Sequence, residues 1–407
     1  MAAGLGFKTF NTGDVLSAAD TNGYLMQGVL VFADAAARTA AITSPEEGQV
    51  SFLKDTNSTE YYSGSTWVAI GGSVPTSLEF TAGKNKIING DFNINQRAFT
   101  SSTTSTVYNF DRWRSLNSGG TVTMSAQTFT AGTAPVVGYE AKNYLQIDVT
   151  GQSAASDRAN VQQFIEGVRT FAGQTVTVSF WAKASSGTPF IAVEFQQSFG
   201  TGGSPSANVD TFVVKQQIST SWVRYSTSVT VPSISGKTLG TANNDSLLLQ
   251  FWFSAGSDFN ARTSTLGTQT NTFQIWGVQA EAGSVATAFQ TATGTLQGEL
   301  AACQRYYYQS DHTGSAYGRI GIGRADSTTA IEAPIPLPVP MRVKPTSVTI
   351  SNLTTTGANT ITAVALAQPT TTVGSVQFTT SSLTTGQAVV VIGNNNVAAY
   401  IAFSAEL

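Results

Sequence analysis

Leu145, Ile147 and Val149 alternate with Gln146 and Asp148, the period-two pattern of a strand with one buried face. The alternation recurs at Val176, Val178 and Phe180 against Thr177 and Ser179, and again at Val223, Tyr225 and Thr227 against Arg224 and Ser226. Residues 247–253 are apolar on both parities except at Gln250, which predicts a central strand covered on two faces. Many short strands separated by Gly, Ser and Asn turns, with hardly any helix, predict an antiparallel two-sheet sandwich over residues 84–290.

Residues 314–407 continue in the same manner. Pro334, Pro336, Pro338 and Pro340 occupy one parity and Ile335, Leu337, Val339 and Met341 the other. Alternate prolines delete every N–H on one edge, so this run predicts an edge strand whose apolar parity packs inward. Short β-rich segments follow at 347–353, 360–366, 375–380, 388–392 and 398–405, predicting a small terminal β domain.

Before the sandwich, residues 1–72 predict a separate small α+β unit. It has a short helix over 14–22 capped by Ser17 or Asp14, a strand at 29–32, an alanine-rich helix over 34–42 and a meander of about three strands from Gly48. Such a unit buries little surface alone, so a docking partner or neighbouring copies would help it. Residues 73–83 are a linker, opened by the glycines and proline of 71–75.

One segment departs from the β pattern. Leu296, Leu300, Cys303 and Tyr307 recur at spacings of four, three and four, predicting one face of a short connecting helix within 291–313. Two arrangements satisfy this seam. The helix lies against the preceding sheet, or copies from several chains meet on an axis, as four-three spacing permits.

Composition narrows the chemistry. Charged residues make up 11% of 407 positions and the net charge is −3, against roughly 25% charged residues in an average domain. No basic patch exists to hold phosphates, so nucleic acid is not an expected partner. One cysteine excludes an intrachain disulfide framework. The start of the chain lacks a signal-peptide pattern, and the apolar stretch at 23–32 is too short to span a bilayer, so neither export by that route nor membrane insertion is expected.

Catalytic motifs are missing. His312 is the single histidine. A Ser-His-Asp triad would need it beside a nucleophile motif, and Cys/His zinc sites fail on count; its plain reading is a surface loop residue. Asp91, Asp111, Asp148, Glu166, Glu194 and Glu281 fall in or beside the strands, where they serve either as a glycosidase pair or in structural hydrogen bonds. Asp91 and Asp111 are also candidates for a structural calcium, although no cofactor is expected. Sugar rings stack on flat side chains. Trp181, Trp222, Trp252 and Trp276 sit within strand patterns and read as core, whereas Tyr108, Trp113 and Tyr317 lie near loops and are the candidate glycan-binding residues.

Several motifs carry a family resemblance. Residues 86–97 (Lys86 through Asn89-Gly90-Asp91 to Arg97), then Asp111, Arg112 and Trp113, then 161–169 and 180–183, and finally 273–283, 285–289 and 298–307 occur in order across about half the chain. In this order they resemble the carbohydrate-binding-like jelly-roll domain of bacteriophage tail fibres. The first 72 residues are similar to N-terminal segments recurring on phage fibre and minor tail proteins. The resemblance implies a mainly β virion surface fibre assembled in the host cytoplasm. It further implies a homotrimer meeting at the Leu296–Leu300–Cys303–Tyr307 seam, bound to other virion proteins through residues 1–72 and to a host cell-surface glycan through its β domains. A capsid decoration or baseplate component is the structural alternative, and a polysaccharide depolymerase the enzymatic one.

Overall fold

A computed structural model describes residues 11–21, 29–70, 82–136, 139–310 and 314–407. His312 and most of the expected linker lie outside them. The chain forms two compact units, Met1–Phe80 and Thr81–Leu407.

In the smaller unit, the Ser17 hydroxyl accepts from the Asp20 N–H at 3.0 Å to start α1 (Ala18–Asp20). The Asp34 carboxylate accepts from Ala37 N–H at 2.7 Å to start α2 (Ala35–Ala41), satisfying a donor that the first helical turn leaves free. Strands β1 (Leu30–Phe32), β2 (Val50–Leu53), β3 (Ser58–Tyr62) and β4 (Trp67–Ile70) form one sheet in that order, parallel at β1–β2 and antiparallel beyond. Arg38 of α2 pairs with Glu60 and its guanidinium lies 4.5 Å from the Trp67 ring centre, so the helix covers one sheet face.

The larger unit begins with the sandwich. Its strands are β5 (Ser101–Ser102), β6 (Arg114–Ser118), β7 (Thr121–Thr128), β8 (Asn143–Thr150), β9 (Arg158–Glu166) and β10 (Thr175–Ala184), then β11 (Phe190–Ser198), β12 (Val209–Gln217), β13 (Val223–Thr230), β14 (Ser246–Ala255) and β15 (Asn271–Ala282). One sheet runs β13-β10-β15-β8-β7-β5 and the other β12-β11-β14-β9-β6. The eight strands β8–β15 are divided between the sheets in the order of a jelly roll, with the hairpin β11–β12 in the second sheet. β14 is the central strand expected from residues 247–253, and every residue of it is buried. Its Leu247, Leu249, Phe251 and Phe253 enter the core between the sheets with Val161, Val193, Phe195 and Phe180. The opposite parity of β14 packs beneath α3 (Asn260–Thr263), where Trp252 joins Ala192, Leu266 and Phe259.

A second, smaller sandwich follows α4 (Leu296–Gln304). Its strands are β16 (Tyr307–Gln309), β17 (Arg319–Ala325), β18 (Ala330–Pro336) and β19 (Ser347–Ser351), then β20 (Leu353–Thr355), β21 (Ala363–Leu366), β22 (Val373–Thr379), β23 (Ala388–Gly393) and β24 (Tyr400–Ser404). A three-stranded sheet, β16-β24-β19, packs on a six-stranded one, β20-β23-β17-β18-β22-β21. A Cβ added to Gly374 of β22 would stand 2.4 Å from the Phe403 ring, so glycine permits the sheets' close approach there.

The proline run corrects the edge-strand expectation. β18 lies inside its sheet, paired along its length with β22. Leu337 donates its N–H to Thr372 on the β22 side, so the prolines, on the other parity, turn their nitrogens toward β17. Pairing with β17 occurs at Ile331 and Glu332 and stops before Pro334. The prolines end an internal ladder and do not bound the sheet. The inward parity is as expected, with Ile335 and Met341 buried and Pro334 and Pro336 exposed.

Candidate functional site

The structure separates the three nominated glycan residues. Trp113 is fully buried and its indole N–H donates to the Asn89 carbonyl at 2.9 Å, which removes it as a binding residue. Its ring packs at a tilt against Phe92 and Phe251 in the core. Tyr108 is half-buried, its hydroxyl donating to the main-chain oxygen of Leu407 at 2.9 Å, and desolvation pushes that hydroxyl's pKa up. Tyr317 is 59% exposed.

The four-residue seam also divides. The helix ends at Gln304, and Tyr307 opens β16, pairing with Ser404. Three consecutive tyrosines favour extended backbone once the helix stops, so Tyr307 does not continue the helical face. Cys303 is fully buried and burial raises its thiol pKa well above the usual range. Leu296 and Leu300 remain 60% and 36% exposed. The helix is tied to the jelly roll by buried Glu299, which accepts from Asn89 N–H at 2.8 Å and Thr293 N–H at 2.7 Å.

Tyr108 and Tyr307 meet instead at Arg97, with Arg112 and Tyr306 beside them. The Arg97 guanidinium lies 3.6 Å from the Tyr307 ring centre and 5.3 Å from that of Tyr108, and it pairs with Glu406 at 3.0 Å and Asp111 at 3.3 Å. Arg112, 1% exposed, sits 3.4 Å from the Tyr306 ring centre and pairs with Glu406. Residues from the start of the jelly roll, from the segment after α4 and from the last strand's exit thus close one buried clamp. Its arginine charges are neutralised by carboxylates and covered by rings.

The other carboxylates are engaged separately. Glu194, fully buried, accepts from Arg262 at 2.8 and 2.9 Å and from Trp252 at 3.0 Å. Glu166 accepts from Arg305 and Tyr306. Glu281 accepts from Thr287 and Gln279 and pairs with Lys84, while Asp148 accepts from Thr272 and Gln146. Among the described residues, no group of three or more His, Cys, Asp or Glu side chains is placed to hold a metal ion.

Asp91 is the uneven case. Its Oδ2 accepts from Tyr139 at 2.8 Å and Asn93 at 2.7 Å, while buried Oδ1 has no hydrogen-bond partner. Burial raises its pKa, only partly offset by these bonds. A carboxyl with a raised folded pKa contributes stability below the unfolded value near 3.9, and that contribution is lost as pH rises through the folded value. Asp91→Asn is therefore expected to be neutral or stabilising by up to about 1 kcal/mol at pH 7 and to flatten the decline above pH 4. Urea denaturation across pH checks this; a loss of more than about 1 kcal/mol with unchanged slope would mean that the charge itself stabilises.

A different surface gathers what a sugar requires. On β8 the inward parity is Leu145, Ile147 and Val149, so Tyr144, Gln146 and Asp148 face outward. Gln146 pairs in register with Gln274 of β15 and Ser125 of β7, and Gln274 pairs with Lys183 of β10. The row Lys183–Gln274–Gln146–Ser125 thus crosses the outer face of the six-stranded sheet. Trp222, just before β13, borders it, with the Lys183 ammonium 5.5 Å from its ring centre. Partly exposed Trp222 and Tyr144 stand edge to face at 5.4 Å, and buried Phe129 supports both at 5.5 and 4.7 Å. Gln274 donates to Gln146 at 2.8 Å and Gln146 to Asp148 at 3.1 Å, while buried Gln274 Oε1 has no partner. Two flat apolar rings beside an amide–carboxylate row can stack a pyranose and exchange hydrogen bonds with its hydroxyls. Trp222, expected in the core, packs against it and stays partly exposed. The missed signal was Tyr144, an aromatic on the polar parity of an otherwise alternating strand.

No known sequence family and no curated protein matches the chain. Among solved structures it is similar to the enzymatically active domain of tailspike protein 4 from bacteriophage CBA120, at 12% identity and TM-score 0.27 over 49% of this chain and 21% of that one. It therefore spans about a fifth of that tailspike chain. It is also similar to a family 22 xylan-binding domain from Paenibacillus barcinonensis, at 15% identity and TM-score 0.28 over 51% of this chain and 99% of that one. A third similar structure is the family 11 carbohydrate-binding module from Clostridium thermocellum in complex with a mixed-linked tetrasaccharide, at 11% identity and TM-score 0.27 over 46% and 98%.

Proposed function

We propose that this chain is a non-catalytic phage fibre protein that binds a host-surface glycan through the outer face of its six-stranded jelly-roll sheet. The carrying observation is the Trp222–Tyr144 pair on Phe129, bordered by Lys183, Gln274, Gln146 and Asp148. The fibre assignment is supported by the ordered motifs of residues 86–307 and by the N-terminal resemblance. In this reading the chain is a homotrimer on the virion, attached through residues 1–72, and avidity from several modest sites replaces one tight pocket. The non-catalytic assignment draws on Asp111, Asp148, Glu166, Glu194 and Glu281, each engaged with its own donors.

Binding to an array of bacterial surface polysaccharides tests the proposal. The expected result is retention of a restricted set of glycans whose chain length is unchanged after incubation. A flat response across the host's polysaccharides overturns the glycan reading, and shortening of a bound polymer overturns the non-catalytic one.

A further inference from the structure

Among the described residues of the small N-terminal unit, one sheet face is left uncovered. Helix α2 covers the face carrying Leu53, Glu60 and Trp67. On the other face, Val31, Phe52, Thr59 and Ile70 stand in register across the four strands, with Val50, Tyr61 and Val68 beside them. Val31 and Ile70 are 56% and 51% exposed, and Tyr61 and Val68 are exposed as well. Six of these seven side chains are aliphatic or aromatic, and none carries a charge. The Arg38–Glu60 ion pair belongs to the covered side.

We infer that this bare face is where further copies of the same chain meet. Where identical faces meet on a symmetry axis, a charge at the centre meets its own copy, so a face without central charges suits self-association. Interfaces between copies of one chain are also the more apolar class. Size sets the stoichiometric demand. Four strands about 4.8 Å apart and four residues at about 3.3 Å give roughly 250 Å² of projected sheet, well below the about 800 Å² that each partner buries in a standard interface. One such contact is too small to hold a pair alone, so it acts together with contacts elsewhere along the chain. The inference rests on the multimeric part of the proposed function and not on its glycan part.

Native mass spectrometry of the full chain over a concentration series tests it, with Val31→Lys/Val68→Lys and Leu296→Lys/Leu300→Lys as parallel variants. All four positions are exposed in the single chain, so lysine there leaves each copy folded, and far-UV circular dichroism verifies that. The expected result is a wild-type multimer and an N-terminal variant whose dissociation midpoint rises at least ten-fold, with the helix variant unchanged. A wild-type monomer at every concentration overturns the inference, as does an N-terminal variant that assembles like wild type. A monomeric wild type whose N-terminal variant no longer joins phage particles assigns the face to a different protein and overturns it too. Glycan binding measured per chain on the N-terminal variant stays at the wild-type level, which separates failure of assembly from failure of the glycan reading.

Discussion

Glu406→Ala is expected to remove about 3–5 kcal/mol from the stability of the larger unit, because it strands the buried Arg112 charge. Arg112 is 1% exposed and its guanidinium is closed in between the Tyr306 ring and Glu406, so water cannot replace the lost carboxylate. Arg97 loses one of its two carboxylate partners in the same step and keeps Asp111. Glu406→Gln, which retains an acceptor, should cost less than the alanine variant. Adding Arg112→Met to Glu406→Ala removes the stranded charge and should recover part of the loss, which a double-mutant cycle reads as coupling. Urea denaturation measures each variant. A cost below about 1 kcal/mol for Glu406→Ala would mean that the pair behaves as a solvated surface bridge.

Trp222→Ala should weaken glycan binding by at least about ten-fold, equivalent to about 1.4 kcal/mol, since it removes the larger of the two partly exposed rings. Tyr144→Ala should act similarly, and the two losses should not add fully, because Trp222 and Tyr144 share Phe129 and contact each other. Gln274→Leu deletes the bond that orients Gln146 in the outer row; it should reduce binding while leaving the rings in place. Isothermal titration with a glycan retained on the array measures these effects. Tyr317→Ala is the informative comparison, because Tyr317 is exposed yet lies apart from the Trp222–Tyr144 pair, on the loop before β17.

Local patterns made much of the fold legible. Strand parity at 145–149 and the doubly apolar run at 247–253 both correspond to observed strands, β8 and β14, because alternation records which side of a strand is wet. The start of α1 is legible as one of two local caps, Ser17 or Asp14, and Ser17 is the one used, since a cap acts within three residues; the Asp34 cap of α2 is seen only in the structure. What depends on distant partners was not legible. The proline run gave its buried parity correctly but not its place in the sheet, since β22 and β17 arrive from both sides by long-range pairing. Trp113 resembles a loop aromatic in sequence and is buried through Asn89, Phe92 and Phe251, the last of which is 138 positions later by number. The helical seam ended early because β24, near the other end of the unit, recruits Tyr307 into a strand. The aromatic pair is not legible because Tyr144 and Trp222 are far apart in sequence, and only the β8–β15–β10–β13 registers bring them together.

The most direct test of the central claim is a paired titration of one host surface polysaccharide against the wild-type chain and Trp222→Ala, with polymer length followed throughout. The account predicts saturable binding by the wild type, at least a ten-fold loss in the variant, and no change in polymer length with either. Equal binding by the two proteins would place the glycan elsewhere, and progressive shortening of the polymer would make the chain an enzyme.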